Sequence, residues 1–374
     1  MATLPVISIS PYVLKETSTE RERLATSEAL HKACRDFGFF YLDISSFASD
    51  AEMNDLMGLA RKFFALPQKR KDLISIRNED SVRGYQRLKE NVTGGKADNH
   101  EAIDLYAPVD NPDKTKPLWG TNQWPSDVKY FRSTYEAWIE KMKVLGMIVM
   151  EASVLFASPP LYQVLIPSFF QSMAIGLGMT PDEWEGLKGC VDHSFWVMRI
   201  IGYPPLPDDH DGFSCGAHKD YGCLTFLLAD PTQDALQVFV PRSLAAANQM
   251  ASSSTIKLPK EEGTSNGVWI YANPLPGCVV CNIGEMWEVW TRGMYKSTLH
   301  RVIHRGNNYR VSLPFFFEPN FDALVKPLAA VVRAQEASGE KIDNDIYTPV
   351  VYGEFLKSKV TNNFSETTPA TARL

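Results

Sequence analysis

The sequence predicts a mainly β core of sandwich, barrel or jelly-roll type, flanked by helices, and three observations predict it. From about residue 186 onward short strand-like runs follow one another closely: "FWVMRIIGY", "AHKDYGCLTFLLA", "LQVFV", "VWIY", "CVVCNIG", "TLHRVIH" and "YRVSLPFFF". Gly, Pro and Asp turns separate them, as in an all-β unit. The front half instead carries apolar residues at helical spacing, and a sequence of 374 residues with 44% hydrophobics can bury a sizeable core.

In chain order, "LPVISIS" alternates as a short strand should. Residues 18–36 place Leu24, Ala25, Ala29, Leu30 and Ala33 on one face of a helix that ends before Gly38. "GFFYLDI" is the next strand, and 51–65 repeats the helical pattern up to Pro67. A long amphipathic helix is expected over 127–156, with Tyr130, Tyr135, Trp138, Ile139 and Met142 turned to the core. Three regions are expected: helices with a few strands over 1–185, a β core over 186–330, and C-terminal helices and a tail over 331–374. Residues 242–267, small and polar, read as a surface loop or as a lid near a site.

A net charge of −6 gives no basic footprint. That argues against nucleic acid or an anionic membrane and leaves a small molecule as the expected partner, with no obligate protein partner. The most apolar stretch, 144–175, is broken by Glu151 and Pro159-Pro160, so no bilayer span is expected. The start lacks a secretory pattern, which points to the cytoplasm. Ala372-Arg373-Leu374 is a relaxed peroxisomal address and gives the alternative. Cysteines 34, 190, 215, 223, 278 and 281 are too scattered for a disulfide framework. Cys278 and Cys281 form a C-x-x-C, but three apart on a strand they face opposite sides and read as buried thiols.

The chemistry begins at "GAHKDYGCLTF". Residues i and i+2 of a strand share a face, so His218 and Asp220 project an imidazole and a carboxylate the same way. His300, in a later strand of the β region, can close a three-ligand face. Two nitrogens and one carboxylate on one side of an ion leave adjacent positions open, the arrangement of non-haem Fe(II) oxygenases. Ten residues on, Arg310 and Ser312 again sit two apart, and an arginine fork beside a hydroxyl matches a carboxylate.

These segments, with "ACRDFGFFYL", "FFALPQKRK", "RGYQ", "RIIGYPP", "NIGEMWEVWTRGMYKSTLHRV" and "YRVSLPFFFEPNFD", cover most of the sequence. They resemble, in order, the plant and fungal type of Fe(II)/2-oxoglutarate-dependent dioxygenases, relatives of isopenicillin N synthase. The resemblance implies a double-stranded β-helix, a distorted jelly roll, with helices along one side. It implies that His218, Asp220 and His300 hold Fe(II), and that Arg310 and Ser312, assisted by Tyr203, hold the far carboxylate of 2-oxoglutarate. It further implies that O2 and 2-oxoglutarate are consumed, giving succinate and CO2, while a C–H bond of a small metabolite is hydroxylated, desaturated or cyclised. An oxidase that binds its own substrate's carboxylate without 2-oxoglutarate is the alternative within the class, and a catalytically silent jelly-roll binding protein the alternative outside it.

Ile201 stands where the family often has Asn, so no co-substrate contact is expected there. The long stretch between Asp220 and His300 is explained by 242–267. Residues 153–172, "SVLFASPPLYQVLIPSFFQS", have no family counterpart and read either as an inserted apolar loop or as a gene-model artefact. His31, His100, His210 and His304 are expected to be surface or supporting residues. Arg83, Tyr85, His193, Phe315 and Phe317 are candidates for the substrate pocket. The aromatic content suggests an aromatic or polyketide-like substrate of secondary metabolism.

Overall fold

The computed structural model describes residues 4–153, 177–207, 209–248, 250, 266–339 and 346–364. The expectations for 154–172, for most of 242–267 and for the C-terminal tripeptide therefore lie outside the described residues.

The fold opens with β1 (Val6–Ser8), α1 (Ser10–Val13), α2 (Glu20–Asp36), β2 (Phe39–Asp43), α3 (Asp50–Phe64) and α4 (Gln68–Lys71). A capping box starts α2: the Thr19 hydroxyl accepts from the Glu22 N–H while the Glu22 carboxylate accepts from the Thr19 N–H. Then come β3 (Gly84–Gln86), the hairpin of β4 (Val92–Thr93) and β5 (Lys96–Ala97), β6 (Glu101–Tyr106), α5 (Phe131–Ser153) and α6 (Pro181–Lys188). Tyr135, Trp138, Ile139 and Met142 of α5 are buried as expected, but Tyr130 is 65% exposed. It precedes the first helical residue and has φ of 66°, so the helical periodicity does not reach it.

The β-rich half runs β7 (Val197–Tyr203), β8 (Phe213–His218), β9 (Leu224–Ala229), β10 (Leu236–Pro241), α7 (Arg242–Ala247), β11 (Gly267–Tyr271), β12 (Cys278–Ile283), α8 (Glu285–Trp290), β13 (His300–Ile303) and β14 (Arg310–Phe317). The expected loop at 242–267 thus begins as the short helix α7. After β14 follow β15 (Leu324–Val325), α9 (Ala329–Ser338), β16 (Val350–Val351) and α10 (Tyr352–Phe364). No described helix is long and apolar enough to cross a membrane.

Two sheets make the jelly roll. The larger has the order β1-β2-β12-β9-β14-β7-β6-β3, the smaller β11-β10-β13-β8. Four strands of the first region, β1, β2, β3 and β6, extend the larger sheet on both edges, so that sheet runs across the expected boundary at 185. Residues on its two faces have different neighbours, as the period of two demands. Val311, Leu313, Phe315 and Phe317 of β14 join Phe63 and Trp138 in the core under the helices. Tyr203 and Ile201 of β7 and Val280 of β12 pack instead against Leu236, Val238 and Val302 of the smaller sheet. Cys281 is buried and Cys278 partly buried on β12, both as free thiols.

Candidate active site

His218 is the last residue of β8, Asp220 lies in the turn that leads to β9, and His300 is the first residue of β13. Strands β8 and β13 are antiparallel neighbours with His218 opposite His300, which brings the ring centroids to 4.2 Å. Asp220 Oδ1 is 3.8 Å from His218 Nε2 and 3.5 Å from His300 Nε2. These three atoms can bind one ion.

The atoms behind them fix the donors. His218 Nδ1 lies 2.8 Å from the Gly216 carbonyl and His300 Nδ1 3.2 Å from that of Thr298, so each Nδ1 carries its proton toward the backbone and leaves the Nε2 lone pair for a metal. Asp220 Oδ2 accepts from Thr225 Oγ1 at 2.5 Å and Asn282 Nδ2 at 2.6 Å, leaving Oδ1 toward the imidazoles. Burial alone would raise the Asp220 carboxyl. The two imidazoles and these two donors outweigh it and hold the group below the usual carboxylate range. The donor set, nitrogen, nitrogen and one oxygen with no thiolate, suits Fe(II).

Arg310 is the first residue of β14, opposite Tyr203 on β7. Its guanidinium is 4.7 Å from the Tyr203 ring centre, and the residue is 1% exposed. Arg310 Nε and Nη1 have no acceptor among the described residues. A buried guanidinium with idle donors fits an absent carboxylate. Ser312, one pleat on, is buried beside Tyr203. A small cavity of about 80 Å³ joins Arg310, Ser312 and Tyr203 to the triad. A second of about 310 Å³ shares Arg199, Cys215, His218, Asp220 and Phe316 with it and extends to Gln86, Glu318 and the α10 residues Leu356 and Val360.

The expected pocket residues do not line this space. The His193 side chain is 86% exposed and pairs with Asp192, because the loop before β7 runs over the surface. Arg83 is fully buried but spends its donors on Asp80, Asn122 and the carbonyls of Tyr106, Ala107 and Leu118. It borders a separate groove beside α5. The Tyr85 hydroxyl donates to Glu101 within the core. Phe315 stacks on Trp196 and Phe317 closes the helix-side core, whereas Phe316 faces the cavity. The face of β14 that carries Arg310 and Ser312 continues through Pro314 and Phe316, so the odd-numbered aromatics point away.

Several wall residues escaped the sequence reading. Arg199, two and four positions before Ile201 and Tyr203, lies on their face and ion-pairs with Asp104 of β6 at 2.7 Å. His100, expected to be a surface or supporting residue, is 1% exposed and packs edge-on against Tyr203. With Asp98 and Cys215 it forms a second cluster of potential donor atoms. Asp98, however, already accepts from Asn91, Thr93 and the Gly216 N–H, so it braces the β4–β5 hairpin. Glu318 continues the β14 face one step past the strand. Parity along β7 and β14 was the available signal for Arg199, Phe316 and Glu318. Thr225 and Asn282 offered none, since only the β9–β12 register sets them side by side.

Residues 4–127 match the family described as non-haem dioxygenase in morphine synthesis N-terminal, and 193–319 match the 2OG-Fe(II) oxygenase superfamily. The homoarginine-6-hydroxylase 2-ODD-233 of Oryza sativa subsp. japonica is 37% identical over 372 aligned positions, 96% of this chain and 97% of that one. Homoarginine-6-hydroxylase 2-ODD-C23 of Glycine max is 35% identical, with 97% and 98% covered. Among solved structures, a 2OG-Fe(II) oxygenase family protein from Caulobacter crescentus superposes with a TM-score of 0.70 at 23% identity, over 97% of this chain and 99% of that one, a likeness of fold. The rice relative matches along nearly the whole of both proteins, and with it the resemblance read from the motifs becomes membership: the chain belongs to the 2OG-Fe(II) oxygenase superfamily and is an Fe(II)- and 2-oxoglutarate-dependent dioxygenase acting on a small molecule.

Proposed function

We propose that the small molecule is a free amino acid with a guanidino side chain, homoarginine or a close analogue, oxidised at a C–H bond of that side chain. The observation that carries this reading is the 37% identity, end to end, to a protein named as a homoarginine-6-hydroxylase. It replaces the aromatic metabolite that composition suggested. The cavity supports it, with the Glu318 carboxyl in its wall and a volume of about 310 Å³, the low end of the range for small-molecule sites.

In this reading His218 Nε2, Asp220 Oδ1 and His300 Nε2 hold the iron, and Arg310 receives the distal carboxylate of 2-oxoglutarate with Ser312 and Tyr203 beside it. Bound there, the iron supplies the dioxygen chemistry that couples 2-oxoglutarate decarboxylation to C–H oxidation. The protein's own share is placement. Arg310 neutralises the co-substrate's far end in a buried setting where the pairing is stronger than in water. Thr225 and Asn282 keep Asp220 turned, and Phe316 with the α10 residues Leu356 and Val360 gives an apolar wall that limits water beside the reacting carbon.

The test is succinate release by the purified protein with Fe(II), 2-oxoglutarate and homoarginine, and mass spectrometry of the amino acid. Succinate formed one-for-one with a homoarginine product gaining one oxygen, or its breakdown products, supports the reading. Turnover of an unrelated aromatic acid with homoarginine inert overturns it.

A further inference from the structure

The charges around the larger cavity do not balance. Arg199 is matched by Asp104 at 2.7 Å, and Lys219 by Glu288 at 2.9 Å. Asp220 stands between two imidazoles as a candidate metal ligand. Among the carboxyl groups of the wall, one is left over. Glu318 is 4% exposed and lines the cavity, yet among the described residues no lysine or arginine lies within ion-pair distance of it.

The backbone makes room for this carboxylate. Glu318 Oε2 lies so close over Gly222 that a Cβ there would sit 1.1 Å from it, and the Cys223 N–H donates to the same oxygen at 3.2 Å. Tyr352, the first residue of α10, lies within hydrogen-bonding reach of it. A carboxyl group that reaches a ligand cavity, seated on a glycine turn next to Asp220, has no basic partner in the protein and would gain one from a cationic ligand.

Resting on the guanidino amino acid reading above, we propose that Glu318 is the residue that selects a cationic substrate, its carboxylate receiving the guanidinium end of the bound molecule. A planar guanidinium presents paired N–H donors that a carboxylate matches bidentately, and removing water from that pair strengthens it. Burial pushes the Glu318 carboxyl up to about 8 in the absence of such a partner, in keeping with a group that has no cation of its own. The partner cation also places the neighbouring methylene at a fixed distance from the turn that carries Asp220.

The experiment compares homoarginine with homocitrulline, its uncharged ureido isostere, by anaerobic titration into protein loaded with Fe(II) and 2-oxoglutarate, for wild type, Glu318→Gln and Glu318→Asp. The visible band of the loaded protein reports an intact site in each variant. The wild type is expected to bind the cation more tightly than the isostere, by roughly 10- to 100-fold. Glu318→Gln removes that preference, and Glu318→Asp retains part of it. A preference that survives in Glu318→Gln overturns the assignment of Glu318 and leaves the guanidino reading standing. Glu318-dependent binding of lysine, with homoarginine ignored, overturns the guanidino reading and upholds Glu318. No cation binding at all by the wild type overturns both.

Discussion

Arg310→Met separates a structural arginine from a co-substrate anchor because the two roles predict opposite signs. The side chain is 1% exposed, and its Nε and Nη1 donors have no acceptor among the described residues. In the protein without co-substrate this charge is buried and poorly compensated, with the Tyr203 ring 4.7 Å away. Methionine has similar length and no charge, so the variant without co-substrate should be as stable as the wild type or more so. With 2-oxoglutarate bound, the same change deletes one partner of a buried, hydrogen-bonded charge pair, at about 2–5 kcal/mol. That is roughly a 30- to 4,000-fold rise in Kd. Calorimetric titration of 2-oxoglutarate into the metal-loaded proteins measures the affinity, and thermal unfolding without co-substrate measures the stability. A destabilised Arg310→Met that binds 2-oxoglutarate like wild type would refute the reasoning.

Four further substitutions probe the same geometry. Phe315→Ala opens a void in the helix-side core and should cost about 3–5 kcal/mol of stability; Phe316→Ala should cost far less and instead raise the substrate KM, so equal stability losses in denaturant titrations would contradict the assigned faces. Asn282→Ala releases one of the two donors on Asp220 Oδ2 and should weaken metal binding by roughly 10- to 100-fold without unfolding the protein, read by competition against a chelator. Burial pushes the His100 imidazole down to about 4, so in the metal-free protein the unfolded state takes up a proton near pH 6.5 while the folded one does not. His100's contribution to stability is then complete above pH 6.5 and is lost as pH drops toward 4, roughly 3 kcal/mol in all; His100→Asn should remove that part of the acid-side slope, and an unchanged slope would show that His100 is not the group concerned.

How far the site was legible follows from what a strand's period can carry. His218 with Asp220, and Arg310 with Ser312, could be paired from sequence because two residues apart means one face, and the structure keeps both pairs together. Strand β8 in fact ends at His218, so Asp220 reaches the triad from a turn. The same rule, carried two steps further along β14, would have chosen Phe316 over Phe315 and Phe317; aromatic character outweighed parity there. Arg83 and Tyr85 were tied to the pocket by their place in the family's order, but the polar groups that absorb them, Asp80, Asn122 and Glu101, are set by tertiary packing. The helices were legible from their apolar spacing, with the error at Tyr130, where a left-handed residue precedes the first turn. What pattern alone could not give was sheet register, which pairs Asn282 with Thr225, His300 with His218 and Arg199 with Asp104.

The central claim, that one iron is seated by His218, Asp220 and His300 with 2-oxoglutarate anchored beside it, is tested most directly by anaerobic addition of Fe(II) and then 2-oxoglutarate, followed in the visible spectrum. Wild type should develop the weak charge-transfer band of a 2-oxo acid chelated to iron, and His218→Ala should lack it while keeping its fold. A band of equal strength in His218→Ala, or its absence from well-folded, iron-loaded wild type, would contradict the account.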